Sequence, residues 1–241
     1  MLGTVSPGLA EKLSLDTVQT GYIALSQGIG LVIASVSVGP LLDRKGKKVG
    51  LLLGLGLVAA ALFMLARVSS YATMLFTMLI LGVGGGITLT AANALGSDVS
   101  ESRRAIVLNL LNVFVGLGGL ATPFVAGNLL AGDAVRVAYG AAVLTSVAFV
   151  IQVVTKVPTP ANRGSKGESY AGIFKAPVLY LLALSVLLYT ASEFAVWNWL
   201  PRYLISQGIP EARALNILSL GFALALLVGR VAVMPILIKI S

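Results

Sequence analysis

The stretch 39-GPLLDRKGKK-48 places a dense run of charge between two uncharged parts of the chain. Five of the six residues from Asp43 to Lys48 are charged, and four of those are positive. An uncharged run, Thr17–Leu42, precedes them, and a second, Val49–Ala66, follows. Each run is long enough to cross a bilayer as a helix. The pattern therefore predicts a short polar loop that joins two membrane-spanning helices at the membrane surface.

Composition extends this interpretation to the whole chain. Of the 241 residues, 57% are hydrophobic and 11% are charged, whereas a typical soluble domain has about 25% charged residues. The chain contains no cysteine and no histidine, which excludes disulfides, thiolate nucleophiles, imidazole bases and the usual zinc ligands. We therefore expect a lipid bilayer as the main partner, with no enzymatic activity, catalytic residue, metal, cofactor or nucleic acid.

Seven segments are long and apolar enough to span a membrane as helices, since a span needs roughly 20 residues. Strand-like alternation is absent, so the predicted fold class is an all-α polytopic membrane protein. The predicted spans are Thr17–Leu42, Val49–Ala66, Val68–Ser97, Ala105–Gly132, Val137–Thr155, Ala176–Leu200 and Ala214–Ile238.

The basic residues predict the orientation of these spans. One set of connections and the C-terminal end carry eleven Lys and Arg residues, and the alternate set carries five. Because Lys and Arg favour the cytoplasmic side, loops 43–48, 98–104 and 156–175 are predicted to be cytoplasmic. The protein is then a multi-pass protein of the plasma or inner membrane.

Two polar features suggest how the chain is divided. Residues 156–175 contain Pro158, Pro160 and Gly164 and have the composition of a linker. They separate a predicted bundle, residues 1–155, from the start of a second bundle, residues 176–241. Residues 1–10 are mildly apolar but too short to span, and they resemble the outer end of a helix, so we expect the chain to be a fragment or a truncated gene product.

The opening decapeptide has residues suited to a tight cytoplasmic turn. Gly39 allows close helix approach, Asp43 can reach a helix N-terminus or a basic partner, Gly46 permits the reversal, and Lys47 and Lys48 hold the loop in the cytoplasm. A simple anchoring loop is the alternative. The decapeptide resembles the loop between helices 2 and 3 of the major facilitator superfamily of secondary transporters.

This resemblance implies twelve helices in two six-helix halves, with substrate bound between them. The chain would then contain the end of helix 1, helices 2 to 8 and the central loop. In such proteins the acid and base of the motif hold the two halves together on the cytoplasmic side, a role that would fall to Asp43 and Arg44.

A narrower resemblance is to the fucose/glucose/galactose permease branch, which implies a sugar substrate and a coupling proton or cation. In the proton-coupled fucose type an acid stands where this chain has Leu89. The matching stretches are 189-YTASE-193, 197-WNWLPRYL-204, 90-TAAN-93 and 108-LNLLN-112.

Glu193 is the one acidic residue within a predicted span, and an ionisable group there is a functional hypothesis. Tyr189, Glu193 and Trp197 recur at every fourth position, so they lie on one helical face. An aromatic ring beside a carboxylate suits a sugar. The alternative is that Trp197, with Trp199 and Tyr203, forms an interfacial aromatic belt, while Glu193 bonds to a neighbouring helix.

The other polar residues within spans have several possible roles. Arg230 could reach the lipid headgroups, face the cavity or pair with an acid. Asn93, Asn109, Asn112 and Gln27 could contact substrate or link helices. The glycine cluster 82-GVGGG-86 lacks a following lysine, so it predicts close helix packing or a hinge rather than a phosphate site.

Three function classes remain after these considerations. The leading hypothesis is a gradient-driven transporter of a small polar solute such as a sugar, with an exporter of drugs or metabolites as the alternative within that class. A seven-helix receptor would share the number of spans, but it leaves the decapeptide unexplained. An intramembrane enzyme is the third class, but this chain offers few acid–base residues for such chemistry.

Overall fold

The computed structural model describes residues 2–99, 103–156 and 177–240, and these residues form helices joined by short turns. Seven of the helical segments are long and apolar enough to cross a membrane, which confirms the predicted all-α polytopic fold. The helices are α1 Leu2–Lys12, α2 Thr17–Ser37, α3 Gly39–Lys45, α4 Lys47–Ala66, α5 Tyr71–Val99, α6 Arg104–Asn128, α7 Ala134–Val154, α8 Pro177–Ser206, α9 Glu211–Asn216 and α10 Leu224–Ile240, with a π-helical segment, Ile217–Ala223, between the last two.

Local sequence signals explain where two of the spanning helices begin. The side chain of Asp16 accepts a hydrogen bond from the backbone N–H of Gln19, and the Gln19 side chain accepts one from the Asp16 N–H. This reciprocal pair satisfies two N–H groups that a helix start leaves without partners. Asp133 caps α7 in a related way, accepting from the N–H groups of Val135 and Arg136.

The first predicted span, Thr17–Leu42, is interrupted in the structure. Helix α2 ends at Ser37, and the separate short helix α3 starts at Gly39. Pro40 has no N–H to continue the hydrogen-bond ladder, and its ring disfavours an uninterrupted helix. Gly46 then ends α3 with a φ of 87°, a conformation that glycine adopts without strain. The decapeptide therefore begins with a helix of about two turns, which is followed by a sharp reversal.

The sixth predicted span also differs, because α8 extends past the expected end at Leu200 to Ser206. Pro201 lies inside this helix and is fully buried. The π-helical segment after Asn216 was not expected from the sequence. Such segments are rare and occur frequently at functional sites.

Helices α2, α5, α4 and α7 pack in that order through close glycine contacts and a shared apolar core. A Cβ atom on Gly84 would lie 2.9 Å from the backbone nitrogen of Val58 and 3.0 Å from the backbone oxygen of Gly54. The α4 and α5 backbones therefore meet directly, as is common where helices associate in lipid. Met74, Met78 and Leu62 are almost completely buried in the core beside this contact.

The later helices pack mainly against α1 and α6, and Leu215 of α9 is part of the same apolar core. Helix α9 lies against α6 at Gly127, where an added Cβ would be 3.3 Å from the backbone oxygen of Ala212. The hydroxyl of Ser219, in the π-helical segment, donates to the backbone oxygen of Leu120 at 2.6 Å. The amides of Asn128 and Asn216 bond to each other, at 2.6 and 3.1 Å. Helix α6 is thus the main bridge between the earlier and later parts of the chain.

The predicted central loop, residues 156–175, falls outside the described residues apart from Lys156. The division into bundles 1–155 and 176–241 stays a prediction.

Candidate functional site

An ion pair joins α8 to α10 within the membrane-spanning part of the fold. Nη2 of Arg230 lies 3.4 Å from Oε1 of Glu193. Both side chains are largely withdrawn from solvent, with 19% of Arg230 and 17% of Glu193 exposed. Of the roles open to Arg230, the structure therefore places it in a pair with an acid. Two charges in this setting require partners, since an unpaired charge inside a bilayer is costly.

Helix α6 provides further partners for Arg230 from two asparagine positions. Nη1 of Arg230 donates to the backbone oxygen of Asn112 at 2.9 Å. The Asn109 side chain donates to the backbone oxygen of Arg230, also at 2.9 Å. The Asn112 side chain instead donates to the oxygen of Leu108, in its own helix. Asn112 thus binds the Arg230 side chain through its backbone oxygen, and Asn109 binds the Arg230 backbone through its side-chain amide.

Trp197 packs between helices and contacts Glu193. Its indole Nε1 donates to Oε1 of Glu193 at 3.3 Å. Its ring meets Phe222 edge-on, with centroids 5.4 Å apart. A Cβ on Gly119 would lie 2.7 Å from that ring, so the absence of a side chain there makes room for the indole. These contacts indicate that Trp197 packs between helices, and it is not among the residues that line the cavity described below. A substrate role for Trp197 stays a prediction.

A cavity of about 530 Å³ lies beside this cluster, between α6, α8 and the last helical segments. Its volume falls within the range of small-molecule sites, roughly 300–1,000 Å³. Within the described part of the chain, the polar members of its lining are one asparagine, one tyrosine and one arginine. The lining residues are Asn109, Tyr189, Phe222, Ala225, Leu226, Gly229, Arg230 and Val233.

The structure therefore brings together six of the residues singled out in the sequence, and two lie elsewhere. Asn93 is on α5, where its backbone oxygen accepts a hydrogen bond from the Ser97 hydroxyl. Gln27 is on α2, the helix that packs against Gly82 of α5. Neither belongs to the cavity lining described above, because that cavity is bounded by other helices. A substrate role for Asn93 and Gln27 stays a prediction.

The signature decapeptide lies at one end of the bundle, and its two final lysines connect three helices. Lys47 at the start of α4 donates to the backbone oxygen of Ala94 and pairs with Asp98, both on α5. Lys48 donates to the oxygens of Val153 and Thr155, each at 2.8 Å, at the end of α7. A cation at a helix C-terminus is favoured by the helix dipole.

These contacts place the residue 43–48 connection at the same end of the bundle as the ends of α5 and α7, from which the other two basic loops continue. This arrangement agrees with the prediction that the three basic loops lie on one face of the membrane. The assignment of that face to the cytoplasm stays a prediction. Asp43 and Arg44 are exposed, and Leu42 beside them is buried against α4 and α5. A Cβ on Gly39 would meet nothing within 4 Å among the described residues, so the close helix approach expected at this glycine is not found there. The roles of Gly39, Asp43 and Arg44 in gating stay predictions.

Sequence reasoning missed Phe222, Gly119 and Asp98. An apolar phenylalanine within an apolar span carries no distinguishing signal, and Gly119 was one of many glycines. Asp98 could have been noticed, because it is an acid at the membrane edge facing the basic loops.

A polytopic helical bundle with a charged pair beside a solute-sized cavity suits a membrane carrier. The chain belongs to the Major Facilitator Superfamily, whose profile matches residues 1–241. This confirms the family prediction and indicates a transporter rather than an enzyme.

Several curated transporters are similar to this chain. It is 27% identical over 224 residues to the 3-(3-hydroxy-phenyl)propionate transporter of Escherichia coli (strain K12), a match covering 90% of this chain and 55% of that protein. It is 31% identical over 135 residues to the 4-hydroxybenzoate transporter PcaK of Pseudomonas putida, covering 54% of this chain and 29% of the relative. The vesicular acetylcholine transporter of Rattus norvegicus is 30% identical over 116 residues, covering 47% and 22%.

The chain thus spans about half the length of the E. coli relative and a smaller share of the other two. The expected sugar-permease branch is not confirmed, because these relatives are named for other solutes.

Proposed function

We propose that this protein takes part in secondary transport, moving a small polar organic solute across the membrane by alternating access. The observation that carries this proposal is the Glu193–Arg230 pair beside an open cavity, at the place where α8 and α10 meet α6. Charged groups are retained inside a bilayer mainly where they serve a solute, ion or proton pathway. No nucleotide-binding loop occurs in the sequence, so the energy would come from a solute or ion gradient, with a proton or another cation as the candidate coupling ion.

Two solute classes are supported by different observations. A sugar is suggested by the resemblance of 189-YTASE-193 and 197-WNWLPRYL-204, both in α8, to the sugar-permease branch, and by the contact of Trp197 with the Glu193 carboxylate. A charged organic solute is suggested by the relatives, which are named for hydroxyphenylpropionate, hydroxybenzoate and acetylcholine. Export of drugs or metabolites uses the same architecture and differs in direction. Family membership favours each of these over a seven-helix receptor.

Uptake by the full-length protein in proteoliposomes tests the proposal. The panel consists of labelled sugars, aromatic and aliphatic carboxylates, and lipophilic cations, each with and without an imposed proton gradient. We expect gradient-dependent uptake of at least one class, and we expect Glu193→Gln to abolish that uptake or uncouple it from the gradient.

Ser185→Ala is the matched control on the same helix, because this exposed hydroxyl donates within its own helix, to the backbone oxygen of Leu181. Uptake of every solute at the level of empty liposomes would refute the proposal. Full gradient-coupled uptake by Glu193→Gln would refute the role given to this residue.

A further inference from the structure

The two members of the intramembrane ion pair are presented differently to the cavity. Arg230 belongs to the cavity lining, whereas Glu193 does not. Arg230 is also the one charged residue among the described lining residues. A solute in the cavity therefore meets a guanidinium group, and the carboxylate that balances its charge is not part of the cavity lining. The accessible electrostatic feature of the site is positive.

The bond between the two charges is loose, and Arg230 retains hydrogen-bonding capacity. Charge-assisted N–H···O bonds are typically 2.7–2.9 Å long, and this one is 3.4 Å. A guanidinium has five N–H donors. In the described structure one donates to the backbone oxygen of Asn112 and one to Glu193, and the guanidinium also interacts with the Tyr189 hydroxyl. Arg230 can therefore exchange Glu193 for another carboxylate without losing its attachment to α6.

The remaining lining suits an apolar body better than a sugar ring. Five of its members are Phe222, Ala225, Leu226, Gly229 and Val233, which carry no polar side-chain atoms. The Asn109 side chain already donates to the backbone oxygen of Arg230, and the Tyr189 hydroxyl already interacts with Glu193 and Arg230, so few polar groups of the lining are left to meet the hydroxyls of a ligand. A sugar would bury several hydroxyl groups against such a surface, and each one left without a partner costs free energy.

We infer that the cavity takes a small monocarboxylate with an aromatic or otherwise apolar body, and that its carboxylate displaces Glu193 from Arg230. Glu193 then acts as an internal competitor that occupies Arg230 when no solute is bound. Displacement also breaks a direct side-chain link between α8 and α10, so binding can change how these helices sit against each other. This inference rests on the proposed function, because it identifies the solute class of the same site.

Direct binding measurements distinguish this arrangement from a purely structural ion pair. The full-length protein in lipid nanodiscs is titrated with benzoate, and with benzamide as a neutral molecule of the same shape. Glu193→Gln keeps the size of the side chain and an oxygen that accepts from Trp197, but it removes the competing charge. We expect this variant to bind benzoate about tenfold more tightly, the effect of one charge-assisted hydrogen bond.

Arg230→Gln should weaken benzoate binding by a similar factor, and neither variant should change the weak binding of benzamide. Because Arg230→Gln leaves Glu193 as an unpaired acid, Arg230→Lys is measured beside it. It keeps the positive charge but lacks the planar fork, and we expect intermediate affinity. Thermal unfolding provides a second readout: Glu193→Gln should unfold at a lower temperature than the parent and should gain more stability from benzoate.

The inference is overturned if Glu193→Gln weakens benzoate binding as Arg230→Gln does, since the pair would then be structural. It is also overturned if benzamide binds as well as benzoate. If the protein takes up a neutral sugar and does not bind benzoate, the inferred carboxylate solute is wrong but the proposed transport function is supported. Absence of uptake for all solutes, with benzoate binding intact, removes the transport proposal instead.

Discussion

The glycine cluster 82-GVGGG-86 offers a sharp test of how α2 and α5 pack, because its members differ in surroundings. A Cβ atom on Gly86 would lie 2.7 Å from the backbone oxygen of Leu31 and 2.9 Å from the Cβ of Ala34. A Cβ on the neighbouring Gly85 would meet nothing within 4 Å. Gly86→Ala and Gly85→Ala are thus the same chemical change, one residue apart in one helix, in two different environments.

The expected difference between the variants follows from this geometry. Ordinary contact begins at 3.4 Å, so Gly86→Ala requires the α2 backbone to move away by about 0.7 Å. Inserting a methyl group into a close-packed contact costs about 1–3 kcal/mol. Alanine also favours helix over glycine by about 1 kcal/mol, but both variants gain this. Gly86→Ala should therefore be about 1–3 kcal/mol less stable than Gly85→Ala.

The free energy of unfolding can be measured for both variants in mixed micelles, by titration with a denaturing detergent and circular dichroism. Two references are measured beside them: the unmodified protein, and Gly28→Ala on α2, where an added Cβ also meets nothing within 4 Å. Equal stability of Gly86→Ala and Gly85→Ala would refute direct backbone contact at this point. It would instead favour the hinge interpretation of the cluster.

Three further outcomes are expected. Lys48→Met should lower the free energy of unfolding by about 0.5–1 kcal/mol, because it loses the hydrogen bonds of Lys48 to the end of α7. Lys45→Met, at an exposed position, should leave the free energy of unfolding unchanged. Equal losses in the two variants would contradict this prediction. Single cysteines at Lys47 and Glu11 should react with impermeant reagents from opposite sides of the membrane, the first from the cytoplasm, and the reverse labelling would overturn the predicted orientation. Asn128→Ala should weaken the α6–α9 contact, increasing hydrogen exchange at the start of α9, and unchanged exchange would show that the paired amides contribute nothing there.

The sequence was sufficient for the spans and the arrangement of their basic connections. Each follows from a local free energy, because an apolar residue prefers lipid and a lysine prefers the cytoplasmic face whatever lies beside it. The seven spanning helices were therefore found with boundaries displaced by a few residues. The larger displacements occur at Pro40, which divides a predicted span, and at Leu200, the predicted end of a span that continues through Pro201 to Ser206.

The sequence also identified Glu193 and Arg230 individually, since an ionisable residue within an apolar span is conspicuous. It could not pair them, because they are 37 residues apart on different helices. Periodicity shows which face of a helix is polar, but it does not show which helix that face meets.

The tertiary structure alone decided that pairing and the shape of the cavity. Both depend on how closely helices approach, which is set by packing at small residues such as Gly119 and Gly127. Neither Asn93 nor Gln27 is among the residues that line the cavity. The amino-acid sequence by itself determined what lies in lipid, because that preference is a property of each residue. The assembled helices determined what lies beside Arg230, because contact is a property of pairs.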